Sequence, residues 1–322
     1  MEEMNHTPQM DDPAAQILPE EISEPKKKKK LYGEHYLAIL AGVLAVITLI
    51  LTLFSLPYML AEEQTEDPEQ VIHQDPPEAA PTIPEVDPET GEKLPEPEKN
   101  PYGKLDFQYE GRYLGCVKAG TSPGIDVSYY QGQIDWEKVK ASGIEFAIIR
   151  IGYRGYGAEG KLVEDKLAYD NLEGALKAGL KVGVYFFSQA TSVEEALEEA
   201  DFVLERIRKY DITMPVVFDW EYISEEARTA NVDPRTLTDC YLAFCGKLEE
   251  EGYTPMAYFN SYQSRKMMYL TELEQYPFWL ALYSDRMTYP YRIEMWQYTD
   301  SGKVPGIEGN VDINLMFTDE YF

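Results

Sequence analysis

Histidine is almost absent from the sequence and does not occur after residue 73. The only three are His6, His35 and His73. The long C-terminal part of the chain therefore has no imidazole, which excludes Ser-His-Asp and Cys-His nucleophilic mechanisms there. The same absence argues against a catalytic zinc site. Any chemistry in this part must depend on carboxylates, tyrosine, lysine or arginine.

Positive charge and cysteine are also scarce. The chain has 29 Lys and Arg against 57 Asp and Glu, a formal net charge of −28. Nucleic-acid binding needs clustered cations that face phosphates, so a nucleic-acid partner is excluded. The cysteines are Cys116, Cys240 and Cys245. The last two lie five positions apart on a predicted helix, where the rise is about 7.5 Å. That is too far for a relaxed disulfide, and we expect buried free thiols.

One long hydrophobic run stands near the N-terminus. Tyr36–Leu56 reads YLAILAGVLAVITLILTLFSL, without a charged residue. At about 1.5 Å per residue it spans a hydrocarbon core of about 30 Å. Residues 1–35 are polar and contain Lys26–Lys30, which predicts a disordered cytoplasmic tail, with everything after the run outside the cell. The alternative is a cleaved signal peptide, which has a shorter apolar region and basic residues at its start. We therefore predict a single-pass anchor in the cell membrane.

A Pro/Glu-rich stretch follows over residues 57–112. Proline favours extended polyproline II geometry and like charges repel, so we predict a disordered extracellular linker that reaches toward the cell wall. A plain linker without a particular target is the alternative.

Residues 113–322 alternate short β-rich runs with amphipathic segments. The predicted strands are Gly124–Ser128, Phe146–Gly152, Val182–Ser188, Val216–Trp220, Met256–Asn260, Phe278–Tyr283, Ile293–Tyr298 and Val311–Asn314. The predicted helices are Asp135–Gly143, Asp165–Gly179, Val193–Lys209 and Pro234–Gly252. This alternation predicts a parallel sheet in an α/β domain. Eight strands with few helices late in the chain indicate a small, irregular TIM-like (β/α) barrel.

Four acids stand at predicted strand ends: Asp126 in GIDVS, Asp219 and Glu221 in VVFDWE, and Asp312 in NVDIN. The C-terminal ends of barrel strands carry catalytic groups. Asp219 and Glu221 share a face of their strand, about 7 Å apart by strand rise. Glycosidic cleavage needs such a pair, in which one carboxyl donates a proton and the other stays ionised. Each acid also has a structural alternative: Asp126 as a turn cap, the pair as an exposed strand end, and Asp312 as a loop anchor.

Aromatic residues near these acids supply a second signal. Sugar rings stack their C–H faces on aromatic side chains. Our candidates for the substrate cleft are Tyr185, Tyr222, Tyr258, Trp296 and Tyr298. Packing in the core or at the rim is the alternative for each of them.

The order of seven motifs resembles glycoside hydrolase family 25. They are GIDVSYYQGQIDW, FAIIRIGYRG, YFFSQATSVEEALEEADFVL, PVVFDWE, YFNSY, FWLALYS and MWQYTDSGKVPGIEGNVDIN, and they cover residues 121–322. The resemblance implies a lysozyme (N-acetylmuramidase) that cleaves the β-1,4 bond between N-acetylmuramic acid and N-acetylglucosamine in peptidoglycan. It also implies an irregular barrel of five helix-linked and three further strands, with no metal and no cofactor.

The resemblance also implies roles for the four acids. Glu221 corresponds to the proton donor. Asp219 corresponds to the partner that stabilises the developing charge, either directly or by orienting the acetamido group of the substrate. Asp126 and Asp312 correspond to two flanking cleft acids. A non-catalytic peptidoglycan-binding or scaffold module is the alternative function.

Overall fold

The computed structural model describes residues 43–45, 67 and 91–317. Eleven strands and five helices lie within 91–317. The strands are β1 (Phe107–Glu110), β2 (Tyr113–Cys116), β3 (Ser122–Val127), β4 (Phe146–Arg154), β5 (Leu162–Glu164), β6 (Lys181–Ser188), β7 (Val216–Trp220), β8 (Pro255–Asn260), β9 (Phe278–Ala281), β10 (Met295–Gly302) and β11 (Val311–Met316). The helices are α1 (Trp136–Ala141), α2 (Ala168–Lys177), α3 (Val193–Ile207), α4 (Pro234–Glu250) and α5 (Ser261–Lys266).

Eight of the strands form a closed barrel. Their order is β3-β11-β10-β9-β8-β7-β6-β4, and a pairing between β3 and β4 closes the ring. The neighbours are parallel except at β11, which runs antiparallel to both β3 and β10. This irregular barrel is the predicted architecture, and all eight predicted strands and four predicted helices are present, with ends shifted by a few residues.

Local sequence signals explain where the longest helices begin. Ser192 caps α3, since its side chain accepts a hydrogen bond from the N–H of Glu195. Asp233 caps α4 in the same way, and Pro234 follows at the first helical position, where no N–H is needed. These caps fix the first turns of two helices that pack behind β6 and β7.

The chain packs against the barrel earlier than predicted. The β1–β2 hairpin begins before residue 113, and Gly111 at φ 70° forms its turn. Tyr102 stacks on Phe317 with ring centroids 5.1 Å apart, and Phe107 contacts Trp296 at 5.1 Å. The last part of the predicted linker is therefore ordered, because its aromatic side chains are buried against the barrel. The hairpin, β5 and α5 were not predicted.

The predicted tail and anchor lie outside the described residues, except for 43–45. Within the parts of the chain that the structure describes, no helix has the length and apolarity needed to cross a membrane.

Two apolar layers position the site. The interior layer fills the barrel with residues such as Phe146, Ile148, Val217 and Met256. Gly124 lies against the ring of Phe146, and a Cβ there would overlap it. The outer layer packs between the sheet and the helices and includes Cys240 and Cys245; these two and Cys116 are free and buried, as predicted. The four acids singled out in the sequence stand beyond this apolar filling, at the C-terminal end of the barrel.

Candidate active site

A pocket of about 320 Å³ lies at the C-terminal end of the barrel. All four acids singled out in the sequence line it. The complete lining is Asp126, Tyr185, Phe187, Asp219, Glu221, Tyr258, Trp279, Tyr283, Gln297 and Asp312. The strand register places Asp126 directly opposite Asp312 on the antiparallel pair β3–β11. Residues almost 200 positions apart in sequence thus meet in one polar pocket.

The end of β7 presents Asp219 and Glu221 to the pocket and Trp220 to the opposite side. Trp220 is fully buried, and its indole N–H donates to the carbonyl of Ala190 at 2.9 Å. This alternation is the pleat of a strand, in which residues two apart share a face. A buried tryptophan between the two acids therefore fixes the direction in which both point.

Two buried glutamines hold the backbone of this segment. Gln263 Nε2 donates to the carbonyl of Trp220 at 2.7 Å, and Gln189 Nε2 donates to the carbonyl of Glu221 at 2.7 Å. Thr229 Oγ1 donates in turn to Gln189 Oε1 at 2.9 Å. Because β7 ends at Trp220, these two carbonyls find their hydrogen-bond donors in the glutamine side chains and not in the sheet. The bonds also restrict the motion of Glu221.

Asp126 is held by neutral amides. Its Oδ2 accepts from Asn314 Nδ2 at 2.7 Å and from Gln297 Nε2 at 3.0 Å. Burial raises the pKa of Asp126 from 3.8 to about 6, and these hydrogen bonds only partly oppose the shift. The nearby charge of Glu221 acts in the same direction as burial. Near neutral pH this carboxyl therefore titrates within the pocket.

The amides on Asp126 are themselves oriented by aromatic side chains. The hydroxyl of Tyr258 donates to Gln297 Oε1 at 2.9 Å, and that of Tyr283 does so at 3.3 Å. The indole of Trp279 donates to Asn314 Oδ1 at 2.9 Å. Because each amide oxygen accepts a hydrogen bond from an aromatic side chain, each amide NH₂ group points toward Asp126. Burial, and next the charge of Glu221, raises the pKa of Tyr258 well above its usual value, so its hydroxyl remains a donor.

Two of the five predicted cleft aromatics, Tyr185 and Tyr258, line the pocket. The other three do not line this pocket. Trp296 and Tyr298 belong to the outer layer, since Met295 and Gln297 take the inward face of β10. The indole of Trp296 donates to the carbonyl of Leu282 at 2.8 Å. Tyr222, which follows Glu221, is likewise buried in the outer layer.

The predicted set of site residues omitted Phe187, Trp279, Tyr283 and Gln297, which line the pocket, and Asn314 behind it. The sequence contained a signal that could have identified Gln297. It stands between two large aromatics in the run Trp296-Gln297-Tyr298, and strand alternation places it opposite to both. Proximity to acids in the sequence had instead selected Trp296 and Tyr298, which lie in the outer layer.

The pocket contains acids, hydroxyl and amide donors, and aromatic rings. Within the described residues, no three His, Cys, Asp or Glu side chains are arranged to hold a metal ion. A group that can donate a proton beside a second carboxylate, with rings that fit the faces of a sugar, is suited to glycosidic cleavage.

The family model described as glycosyl hydrolases family 25 matches residues 125–307, which include β4, β7 and three of the four pocket acids. The chain belongs to this family. It is therefore a glycoside hydrolase with a barrel-like fold.

Curated and solved relatives agree with this membership. Lysozyme M1 from Streptomyces globisporus is 26% identical over 216 residues, which are 63% of this chain and 70% of the relative. The autolysin LytC from Streptococcus pneumoniae, solved with a synthetic peptidoglycan ligand, is 27% identical with a TM-score of 0.52. That match covers 61% of this chain and 46% of LytC, so the chain spans about half the length of that relative.

A family 25 glycosyl hydrolase from Bacillus anthracis shares the fold. The TM-score is 0.54 at 22% identity, over 66% of this chain and 96% of the Bacillus chain. The similarity covers nearly the whole of that structure, which supports the assignment of the barrel.

Proposed function

We propose that this enzyme hydrolyses the β-1,4 bond between N-acetylmuramic acid and N-acetylglucosamine in peptidoglycan. The observation that carries the proposal is the convergence of Asp126, Asp219, Glu221 and Asp312 in one pocket, together with aromatic rings. Lysozyme M1 bears its activity in its name, and LytC was solved with a peptidoglycan ligand. Both relatives support the same substrate class for this chain.

Glu221 is the proposed general acid. It is buried, it follows β7 directly, and its backbone is fixed by Gln189. Protonating the glycosidic oxygen turns the departing sugar into a neutral alcohol, which lowers the barrier to bond cleavage. Asp219 lies two residues earlier on the same face and provides negative charge where the oxocarbenium-like centre develops. It acts either on that centre directly or by orienting the acetamido group of the substrate.

Asp126 and Asp312 are the proposed flanking acids. Because the pKa of Asp126 is raised to about 6, this residue carries its full charge only above that pH. Both flanking acids line the pocket with Asp219 and Glu221, and they face each other across the β3–β11 pair. We therefore assign Asp126 and Asp312 a positioning role toward the sugar.

The proposed place of action is outside the cell, on a membrane anchor formed by residues 36–56. The support is in the sequence: five lysines precede an uncharged apolar run, and acids follow it. Added protease should degrade the barrel in intact cells while an N-terminal tag stays protected. Recovery of the barrel in the medium, with a new N-terminus near residue 62, would instead show a cleaved signal peptide.

The test of the reaction is the identity of the new reducing end. Peptidoglycan is incubated with the full-length chain, reduced with borohydride and hydrolysed, and the amino sugar alcohols are separated. Cleavage of the proposed bond leaves N-acetylmuramic acid at the new reducing end. Borohydride reduces that end, so we expect muramitol to accumulate. Accumulation of glucosaminitol would assign the other glycosidic bond, and the Glu221→Gln chain serves as the control for contaminating activity.

The second candidate function is a peptidoglycan-binding module without catalysis. The same experiment separates the two, since a binding module sediments with insoluble peptidoglycan but releases no reducing ends. Four acids in one pocket favour the enzyme, because binding a neutral sugar ring does not require buried carboxyl groups.

A further inference from the structure

Beside the acidic pocket, the barrel contains a buried guanidinium that the proposed reaction does not use. Arg150 lies on β4 two residues beyond Ile148, the register partner of Asp126. Its own register partner on β6 is Tyr185, which lines the pocket. Arg150 is therefore at the C-terminal end of the barrel, adjacent to the candidate active site, although its side chain is fully buried.

One carboxylate already neutralises this guanidinium. Arg150 Nε donates to Asp165 Oδ2 at 2.9 Å, in a pair whose two side chains are fully buried. Asp165 is fixed from other directions, since it also accepts from the N–H groups of Tyr129 at 3.0 Å and Leu167 at 2.9 Å. This pair satisfies the charge of Arg150 with a residue only 15 positions away.

The remaining edge of the guanidinium binds a second carboxylate, from far away in the chain. Arg150 Nη1 donates to Asp67 Oδ1 at 3.0 Å, and Nη2 donates to Asp67 Oδ2 at 2.7 Å. This is the bidentate geometry by which arginine recognises carboxylates. Asp67 lies in the predicted linker, 83 positions from Arg150, and its side chain is only 3% exposed. Charge neutralisation does not require it, because Asp165 is already present.

Aromatic rings enclose the guanidinium. Its central carbon lies 5.3 Å from the ring centre of Tyr129, 5.5 Å from that of Tyr130 and 5.1 Å from that of Tyr153. Tyr130 is 38% exposed, so the enclosure reaches the protein surface. Tyrosine faces stabilise a cation while leaving its hydrogen-bonding edge open to a ligand.

We propose that Arg150 forms a carboxylate-binding subsite beside the active site, and that Asp67 occupies it in competition with a carboxylate of the substrate. This inference rests on the proposed function, because peptidoglycan carries carboxylates on its peptide stems whereas a plain amino-sugar polymer does not. Asp67 then acts as an intramolecular competitor that weakens binding of acidic strands until they displace it. Apparent affinity scales with the fraction of molecules whose site is open, so a site closed about nine-tenths of the time binds about tenfold more weakly.

The test measures binding, with cleavage prevented by Glu221→Gln in the full-length chain. The probes are a peptidoglycan tetrasaccharide with free stem-peptide carboxylates and the same compound with those carboxylates converted to amides. In this background Asp67→Asn should lower the Kd for the acid form by about tenfold and leave the Kd for the amide form unchanged. Asp67→Glu keeps a carboxylate and should restore the weaker binding. Asp75→Asn removes the same charge elsewhere in the linker and should change neither Kd.

Several outcomes would overturn the inference. One is an unchanged Kd for the acid form in Asp67→Asn, and another is an equal change for both compounds, which would make Asp67 a steric obstacle only. A large loss of melting temperature in Asp67→Asn that Asp67→Glu restores, without tighter binding, would make the pair structural. Binding of neither compound by any variant would overturn the proposed function itself, whereas binding that ignores Asp67 would overturn only this inference.

Discussion

Two groups of carboxylates lie on opposite sides of the same sheet, and they differ in their partners. In the pocket, Asp126 accepts hydrogen bonds from the amides of Asn314 and Gln297. Behind the sheet, Glu199 on α3 accepts from Arg154 Nε at 2.7 Å, and Glu195 pairs with Arg228. Asp126 is bound by neutral donors, whereas Glu199 and Glu195 are bound by guanidinium groups.

The proton affinities reflect burial as well as these partners. Burial raises the pKa of Glu199 from 4.5 to about 7, although Arg154 opposes the shift. Burial raises the pKa of Asp126 to about 6, since amide donors stabilise its charge only partly. For Glu195 burial also favours the neutral form, but the contacts with Arg228 and Arg154 outweigh it and lower the pKa. Paired acids of this kind hold α3 to the ends of the strands. Asp126, which is held by neutral amides in the pocket, titrates near neutral pH, as a group that takes part in acid–base chemistry must.

The largest effect on activity is expected at Glu221, in the pocket. Glu221→Gln keeps the size of the side chain but cannot donate a proton, so we expect kcat to fall by about 10²–10⁴-fold. The melting temperature should be almost unchanged, since a cleft acid contributes little to the core. The exposed Glu225→Gln, four residues away, is the matched control and should keep full activity. Full activity in Glu221→Gln would remove this residue from the mechanism.

On the other side of the sheet, Glu199→Gln should cost stability rather than activity. The change leaves Arg154 buried without its closest counter-charge. Because burial raises the pKa of Glu199 to about 7, the pair is only partly ionised near neutral pH, so the cost should stay below the value of about 3–5 kcal/mol for a fully ionised buried pair. The measurement is denaturant unfolding, with kcat determined on the folded protein. Glu198→Gln is the control, because it removes a partner of the same arginine whose side chain is 61% exposed, and it should cost less than about 1 kcal/mol. Equal losses in both variants would contradict the assignment of a buried structural pair.

Asp126→Asn should show whether Asp126 stabilises the fold or serves the function of the pocket. The folded state holds the proton of Asp126 up to about pH 6, whereas the unfolded chain releases it near pH 3.8. The folded state therefore binds more protons across this window, and wild-type stability falls as pH rises through it. A shift of about two pH units corresponds to about 3 kcal/mol at most. Asparagine can still accept from both amides, so the variant should match the wild type near pH 3.5 and be more stable at pH 7.

The measurement is the free energy of unfolding of both proteins between pH 3.5 and 7.5, with the lysis rate at each pH. The exposed Asp211→Asn is the control and should follow the wild-type curve. A variant that is less stable than the wild type at pH 7 would return Asp126 to the structural role of a turn cap.

The smallest expected effects compare two tryptophans. Trp279→Phe removes the donor that orients Asn314 and alters the pocket wall, so we expect kcat/KM to fall several-fold. Trp296→Phe removes an equivalent bond to the carbonyl of Leu282, outside the pocket. That loss should cost about 0.5–1.5 kcal/mol of stability and leave kcat/KM unchanged. A larger kinetic effect in Trp296→Phe than in Trp279→Phe would place the substrate cleft on the opposite face of β10.

The acids could be predicted from the sequence more reliably than the aromatics. Strand ends were visible as the points where β-rich runs stop, and all four acids at those points line one pocket. Tyrosine and tryptophan, in contrast, are suited equally to the core and to a substrate cleft. On β10 the choice between the two depends on which face meets the outer layer, and Phe107 from the unpredicted hairpin covers Trp296 there.

What the sequence by itself determined is local and periodic: the alternation of strands and helices, the caps at Ser192 and Asp233, and the shared face of Asp219 and Glu221. These follow from neighbours within a few residues. Only the tertiary structure decided that Gln297 and Asn314 hold Asp126, and that Asp67 reaches Arg150. Such contacts join residues 83 to 188 positions apart. They depend on barrel closure and strand register, which no local pattern encodes, because each pairing is selected by the packing of the whole ring.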